Sequence, residues 1–149
     1  MHLSFPLTLP YYRPPEELPS PLPSIVEINA SKQIIPTKQG LCCIVRIGDH
    51  YLVKYGRGIN LIEGENMLFV KQSCKVPVPE VYALFRDDAT DFDYIIMQFI
   101  PGQSLASLWE SLDSTSKNSI TQKLRQSLDE LRQIPGQGYY GKLGNRSYY

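Results

Sequence analysis

Tyr51-Leu52-Val53-Lys54-Tyr55 is an apolar run interrupted by a single lysine. Strand side chains alternate between faces, so Leu52 and Lys54 share one side, with Tyr51, Val53 and Tyr55 on the other. A lysine in mid-strand needs solvent or a counter-charge, because an unpaired buried ammonium is costly. Gly56 and Gly58 break the strand, and the stretch from Asn60 to about Ser73 reads as a helix with Glu63 in its first turn. If that helix packs across the sheet, Glu63 can meet Lys54. Local alternatives stay open. Lys54 can lie on a solvated edge strand, and Asn60-Leu61-Ile62-Glu63 fits a capping box in which the carboxylate returns to the N-cap amide. Glu65 is a competing partner for the lysine.

Upstream, Leu41–Ile47 is rich in β-branched and apolar residues, Gly48-Asp49 supplies turn chemistry, and His50–Tyr55 completes a hairpin. Lys32–Ile35 reads as a first strand ending at Pro36, and Ser24–Ala30 is a short element of ambiguous type. Downstream, Val76-Pro77-Val78-Pro79 ends the helix and forces an extended entry into a strand at Glu80–Phe85. Asp87–Asp93 reads as a polar turn, and Tyr94–Ile100 as a strongly apolar strand stopped by Pro101-Gly102. Ser104 is placed to cap a short helix through Leu112. From Thr115 to Gln133 the apolar residues Ile120, Leu124, Leu128, Leu131 and Ile134 fall on one helical stripe, which Pro135 and Gly136 close.

This order predicts an α+β fold: an antiparallel sheet of about five strands, one helix packed after the third strand, then one or two helices. Four segments follow. Residues 1–23 hold seven of the twelve prolines and read as an irregular arm. Residues 24–112 carry the sheet, 113–135 the long amphipathic helix. The tail 136–149 has four of the ten tyrosines and no predicted element.

With 149 residues, 42% of them hydrophobic, the chain can bury the core of one domain. Lys plus Arg (15) equals Asp plus Glu (15), so no long-range attraction draws it to nucleic acid or to an acidic membrane. No apolar run spans a bilayer, and proline interrupts every short apolar stretch before Pro23, so neither a membrane segment nor a signal peptide is expected. A cytoplasmic location follows. It would leave Cys42, Cys43 and Cys74 as thiols, and the sequons at Asn29 and Asn145 unused. Cys42 and Cys43 point to opposite strand faces and only His2 and His50 accompany them, so no metal site is expected.

Three segments then occur in a telling order: Glu63-Gly64-Glu65-Asn66-Met67-Leu68-Phe69-Val70, Val76-Pro77-Val78-Pro79-Glu80-Val81-Tyr82, and Tyr94-Ile95-Ile96-Met97-Gln98-Phe99-Ile100-Pro101-Gly102. From about Ile25 to Pro135 the chain resembles the small, N-terminal lobe of the aminoglycoside phosphotransferase family, which is similar in fold to choline kinases and protein kinases. The Val-Pro-Val-Pro-x-Val segment with its downstream Met-x-x-x-Pro-Gly carries most of the likeness. The resemblance implies ATP as ligand, with Lys54 on its α- and β-phosphates and Glu63 orienting Lys54. Leu52 would cover one face of the adenine and Met97 would sit at the back of the pocket. The backbone of Gln98 and Ile100, in a hinge at 97–102, would bond the adenine edge. One departure is that Thr37-Lys38-Gln39-Gly40, where a phosphate-covering loop is expected, holds one glycine.

Transfer also needs a catalytic aspartate and metal ligands, which the family carries after the hinge in a His-x-Asp-x-x-x-x-Asn loop and a later acidic motif. No histidine follows His50. Asp113 and Asn118 have the spacing without the histidine and read as a loop and helix start. Asp91-Phe92-Asp93 precedes the hinge and reads as a turn. The fifteen residues after Ile134 are too few for a large lobe. These residues alone are therefore expected to be catalytically incompetent, with Mg²⁺ unanchored, a nucleotide as partner, and a large lobe or another chain as a further one. The alternatives are a non-catalytic nucleotide- or protein-binding module, and a residual product that exposes the surface a large lobe would cover.

Overall fold

The computed structural model describes residues 3–35, 42–136, 138–139, 141–144 and 146. In chain order these form β1 (Tyr11–Tyr12), a 3-10 turn (Pro15–Glu17), α1 (Ile25–Ala30), β2 (Ile34–Ile35), β3 (Cys43–Ile47), β4 (Tyr51–Gly56), α2 (Ile62–Ser73), β5 (Val81–Asp87) and β6 (Phe92–Gln98). Then come α3 (Leu105–Leu108), a second 3-10 turn (Trp109–Ser111) and α4 (Ser114–Arg132). The six strands make one sheet in the order β1-β5-β6-β4-β3-β2, with every pairing antiparallel. The fold is α+β.

Strand alternation sorts the core onto two faces. One face buries Val45, Tyr51, Val53, Tyr82, Ala83, Tyr94 and Ile96 together with Ile28 of α1. The other buries Val81, Leu84, Ile95 and Met97 beneath Leu61 and Leu68 at and within α2. A register shift between Val81 and Ala83 places the consecutive residues Tyr82 and Ala83 on the α1 face and returns Leu84 to the α2 face. A bulge of this kind re-aims side chains without ending the strand.

α1 forms where the sequence pattern alone was ambiguous. Ser24 and Glu27 make a reciprocal capping box, the Ser24 side chain accepting from the Glu27 N–H and the Glu27 carboxylate accepting from the Ser24 N–H. The β3–β4 hairpin turns at Gly48, whose φ of +58° lies in the left-handed region that glycine enters at little cost. Asp113 caps α4 by accepting from the Ser116 N–H at 2.7 Å, and Asn118 lies inside that helix.

The structure corrects several expectations. The sheet has six strands rather than about five, because the arm 1–23 is not wholly irregular. Tyr11 and Tyr12 keep their backbone donors between Pro10 and Pro14, and as an edge strand they need pair on one side only, with Leu84 and Ala83. The arm then packs Leu18 and Leu22 into the α1-side core, and its Ser20 carbonyl accepts from the Tyr51 hydroxyl. The last strand begins at Phe92 and ends at Gln98, so it takes residues from the expected turn and leaves Phe99 and Ile100 beyond its end. Arg86, on the facing strand, pairs with Asp91 and Asp93 beside this extension. The expected helix 104–112 is one α-turn and one 3-10 turn. Among the described residues no helix is long and apolar enough to cross a membrane.

Candidate functional site

Lys54 sits on the face of β4 that α2 covers. Leu52 pairs with Met97 and Lys54 with Ile95 across β4–β6, so these four side chains share that face. Met97 is buried in the α2-side core, and Leu52 packs half-buried against the same cluster. The Lys54 ammonium donates to the Glu63 carboxylate, closing an ion pair between strand and helix.

The local alternatives for Glu63 do not form. Asn60 uses its Oδ1 to accept from the Ile62 N–H, and Leu61, in helical conformation, stands at the helix start without a side-chain cap. Glu63 is therefore free of the capping box and reaches sideways to the lysine. Lys54 is not on an edge strand, since β4 is hydrogen-bonded on both sides. Glu65 does not compete. One residue-pair further along the helix, it turns under α2, is 1% exposed, and is held by the Arg146 guanidinium at 3.0 and 2.6 Å.

α2 comes unusually close to the sheet at Gly64. A Cβ there would stand 2.2 Å from Leu84 Cδ2, so only glycine lets Glu63 and Glu65 take their places on either side of the contact. Three further anchors fix the helix. The Leu3 N–H and carbonyl bond both ends of the Gln72 amide, Phe5 meets Phe69 edge-on at 5.4 Å, and Glu80 joins Lys71 of α2 to Arg13 of the arm at 2.5 and 2.8 Å. Burial of the Glu80 carboxyl opposes its ionisation, but hydrogen bonds from Lys71 and Arg13 outweigh burial and hold it below the usual carboxylate range.

At the end of β6 the Gln98 N–H donates to the Glu80 carbonyl at 2.7 Å, and the Phe99 N–H to the His50 carbonyl at 2.8 Å. Gln98 thus has its donor engaged. Ile100 lies beyond the strand end and is 59% exposed. The expected phosphate-covering loop Thr37–Gly40 lies outside the described residues, as do Pro36, Leu41 and the sequon residue Asn145. Asp91 and Asp93 flank Arg86 in the hairpin and Asp113 serves as a cap, each occupied by local structure. Among the described residues no group of three His, Cys, Asp or Glu side chains is placed to hold a metal ion.

Sequence reasoning brought Leu52, Lys54, Glu63 and Met97 together, and the structure does so too. It missed Arg146, Glu80 and Arg13. Arg146 carried no signal, because its partner lies 81 positions away. Glu80 carried a weak one, as a charge directly after a Pro-rich segment. Comparison of the chain with protein-family models, curated proteins and solved structures finds no match.

Proposed function

We propose that residues 24–112 are a nucleotide-facing small lobe of the aminoglycoside phosphotransferase-like, kinase-like kind, with its hinge at 97–102. The observation that carries this reading is the Lys54–Glu63 ion pair on the same sheet face as Leu52 and Met97. In this reading Lys54, aimed by Glu63, meets the α- and β-phosphates of ATP. Leu52 lies against the adenine and Met97 forms the back wall. Gln98 offers its carbonyl to the adenine edge, since its N–H is already given to Glu80, and Ile100 offers its N–H.

The reading assigns nucleotide binding to these residues, not the transfer step. In intact enzymes of this kind the γ-phosphate moves to a hydroxyl of a small molecule, with an aspartate accepting the hydroxyl proton and acidic side chains holding Mg²⁺. Residues 1–149 contain no His-x-Asp loop to supply those groups. A second reading is a non-catalytic nucleotide- or protein-binding module on the same scaffold.

A thermal-shift titration with ATP, with and without Mg²⁺, tests the proposal. Ligand at about a hundred times its Kd stabilises the folded state by about 2.7 kcal/mol, which shifts Tm measurably. The expected result is a rise in Tm that Lys54→Ala removes. A Tm that ignores millimolar ATP in folded protein sinks the nucleotide reading. Binding that is equally tight without Mg²⁺ selects the non-catalytic module.

A further inference from the structure

A row of aromatic rings crosses the sheet on its α1 face. Phe85 of β5 stands opposite Tyr94 of β6, Tyr94 opposite Tyr55 of β4, and Tyr55 opposite Cys43 of β3. Directly opposed side chains of antiparallel strands lie within reach of one another, so these residues form one line across neighbouring strands. Tyr12 of β1 extends the line to the sheet edge. Its ring stacks on Phe85 at 5.7 Å, Phe85 on Tyr94 at 4.9 Å and Tyr94 on Tyr55 at 5.4 Å, with planes 25°, 2° and 5° apart. At the far end the Tyr55 hydroxyl donates to the Cys43 sulfur.

The line is open to solvent at both ends and closed in the middle. Tyr12 is 52% exposed and Cys43 is exposed, whereas Tyr94 is fully buried. The Tyr94 hydroxyl lies beside Thr90, whose own hydroxyl is given to Asp87, and makes no hydrogen bond. A phenylalanine would fill the same space without stranding a polar group, so packing does not account for this phenol. What a phenol adds to a benzene ring is readier loss of an electron. Oxidation also turns a phenol or thiol into a strong acid, so an electron vacancy rests only where the proton can leave. Tyr94 has no acceptor for its proton, whereas Cys43 has water.

We propose that this line carries one-electron oxidation from the β1 edge across the sheet, and that Cys43 is the residue it oxidises. A one-electron oxidant takes an electron from Tyr12, whose phenolic proton goes to water. An electron then passes from Tyr55 to Tyr12 through the rings of Tyr94 and Phe85, which act as a bridge and keep no vacancy. Tyr12 recovers a proton from water and Tyr55 gives one up. The Cys43 thiol then transfers an electron and its proton to the Tyr55 oxygen it touches, restoring the phenol and leaving a thiyl radical. The net change is one electron from Cys43 to the oxidant and one proton to water. Cys74, at the end of α2 on the opposite side of the sheet, does not meet the line and serves as an internal control. The proposal stands on the sheet alone and does not depend on nucleotide binding.

The test is pulse radiolysis of the full chain with azidyl radical as the oxidant, which takes electrons from tyrosine and tryptophan faster than from neutral thiols. Phenoxyl absorbance follows the tyrosines, and a nitrone spin trap read by peptide mass spectrometry locates the thiyl radical. The adduct is expected on Cys43 in preference to Cys74, and Cys43→Ser should lengthen the phenoxyl lifetime severalfold. Tyr55→Phe keeps the ring and removes the phenol, and should lose more than half of the Cys43 adduct while the Cys74 adduct stays. Tyr12→Phe, on open surface where folding is not at stake, should lower the Cys43 adduct too. An unchanged Cys43 yield in either variant means direct attack on the thiol and overturns the proposal. So does a phenoxyl decay indifferent to Cys43→Ser, or an adduct that favours Cys74.

Discussion

Gly64→Ala should destabilise the protein although alanine is the better helix former. Replacing an interior helical glycine by alanine ordinarily gains about 1 kcal/mol. Here the new methyl group would stand 2.2 Å from Leu84 Cδ2 and 3.1 Å from Cδ1. Optimal carbon–carbon separation is about 3.5 Å or more, so one side must give by at least about 1.3 Å. Leu84 is fully buried on β5 beneath α2, so relief takes a change of its side-chain rotamer inside the packed core or a rise of α2 from the sheet. Overpacking of this kind costs about 1–3 kcal/mol, leaving a net loss of about 0–2 kcal/mol after the propensity gain. Leu84→Ala alone should cost about 2–5 kcal/mol through the cavity it opens. In that background the methyl group at position 64 has room, and Gly64→Ala becomes neutral or stabilising by up to about 1 kcal/mol. Urea unfolding followed by far-UV circular dichroism gives all four stabilities. Equal cost of Gly64→Ala in both backgrounds would refute the steric argument.

Arg146→Met should cost about 2–3 kcal/mol in urea unfolding. It strands the buried Glu65 carboxylate, and the half-exposed guanidinium keeps the loss below the full cost of breaking an interior pair. Adding Glu65→Met should restore most of it, because an apolar pair removes the desolvation penalty altogether; a double variant as weak as the single would contradict this. For Glu80, the folded carboxyl ionises below its unfolded range, so its contribution is present above that range and lost as pH falls through the folded value. Glu80→Gln should therefore cost about 1 kcal/mol near neutrality, with the gap to the native protein closing in acid. A gap independent of pH between 7 and the acid limb, about 3, would show that Lys71 and Arg13 do not act on its charge.

The hairpin, α2 and the face shared by Leu52, Lys54 and Met97 were legible because each rests on local chemistry: strand alternation, a glycine turn, and a helix ended by prolines. The Ser24-x-x-Glu27 pattern that starts α1 was also there to be read, as a capping box, before the structure placed it. Other features had no local signature. Two residues of β1 carry no period, and the prolines around them argue for an irregular arm until pairing at the sheet edge takes up Tyr11 and Tyr12. The buried side of α2 runs through Leu61, Gly64, Glu65 and Leu68, and a stripe holding a glycine and a glutamate does not look apolar. What completes it, Leu84 below the glycine and Arg146 beside the glutamate, comes from distant parts of the chain. Long-range partners of this sort leave no mark in the spacing of nearby residues.

The Lys54–Glu63 pair is too exposed to hold α2 in place. Its side chains are 25% and 45% accessible, and a pair at that level contributes at most about 1 kcal/mol. The position of Glu63 follows instead from anchors that are better buried or more numerous: Gly64 against Leu84, Glu65 on Arg146, Gln72 on Leu3, and Lys71 through Glu80 to Arg13. Two of these reach back to the arm and one to the tail, so both ends of the chain bear on where one carboxylate stands. With the helix fixed by other means, the ammonium meets its partner at little entropic cost and keeps its remaining donors for another acceptor. The proposed role of Lys54 toward an anion is therefore separable from stability, and the ATP titration with Lys54→Ala measures it.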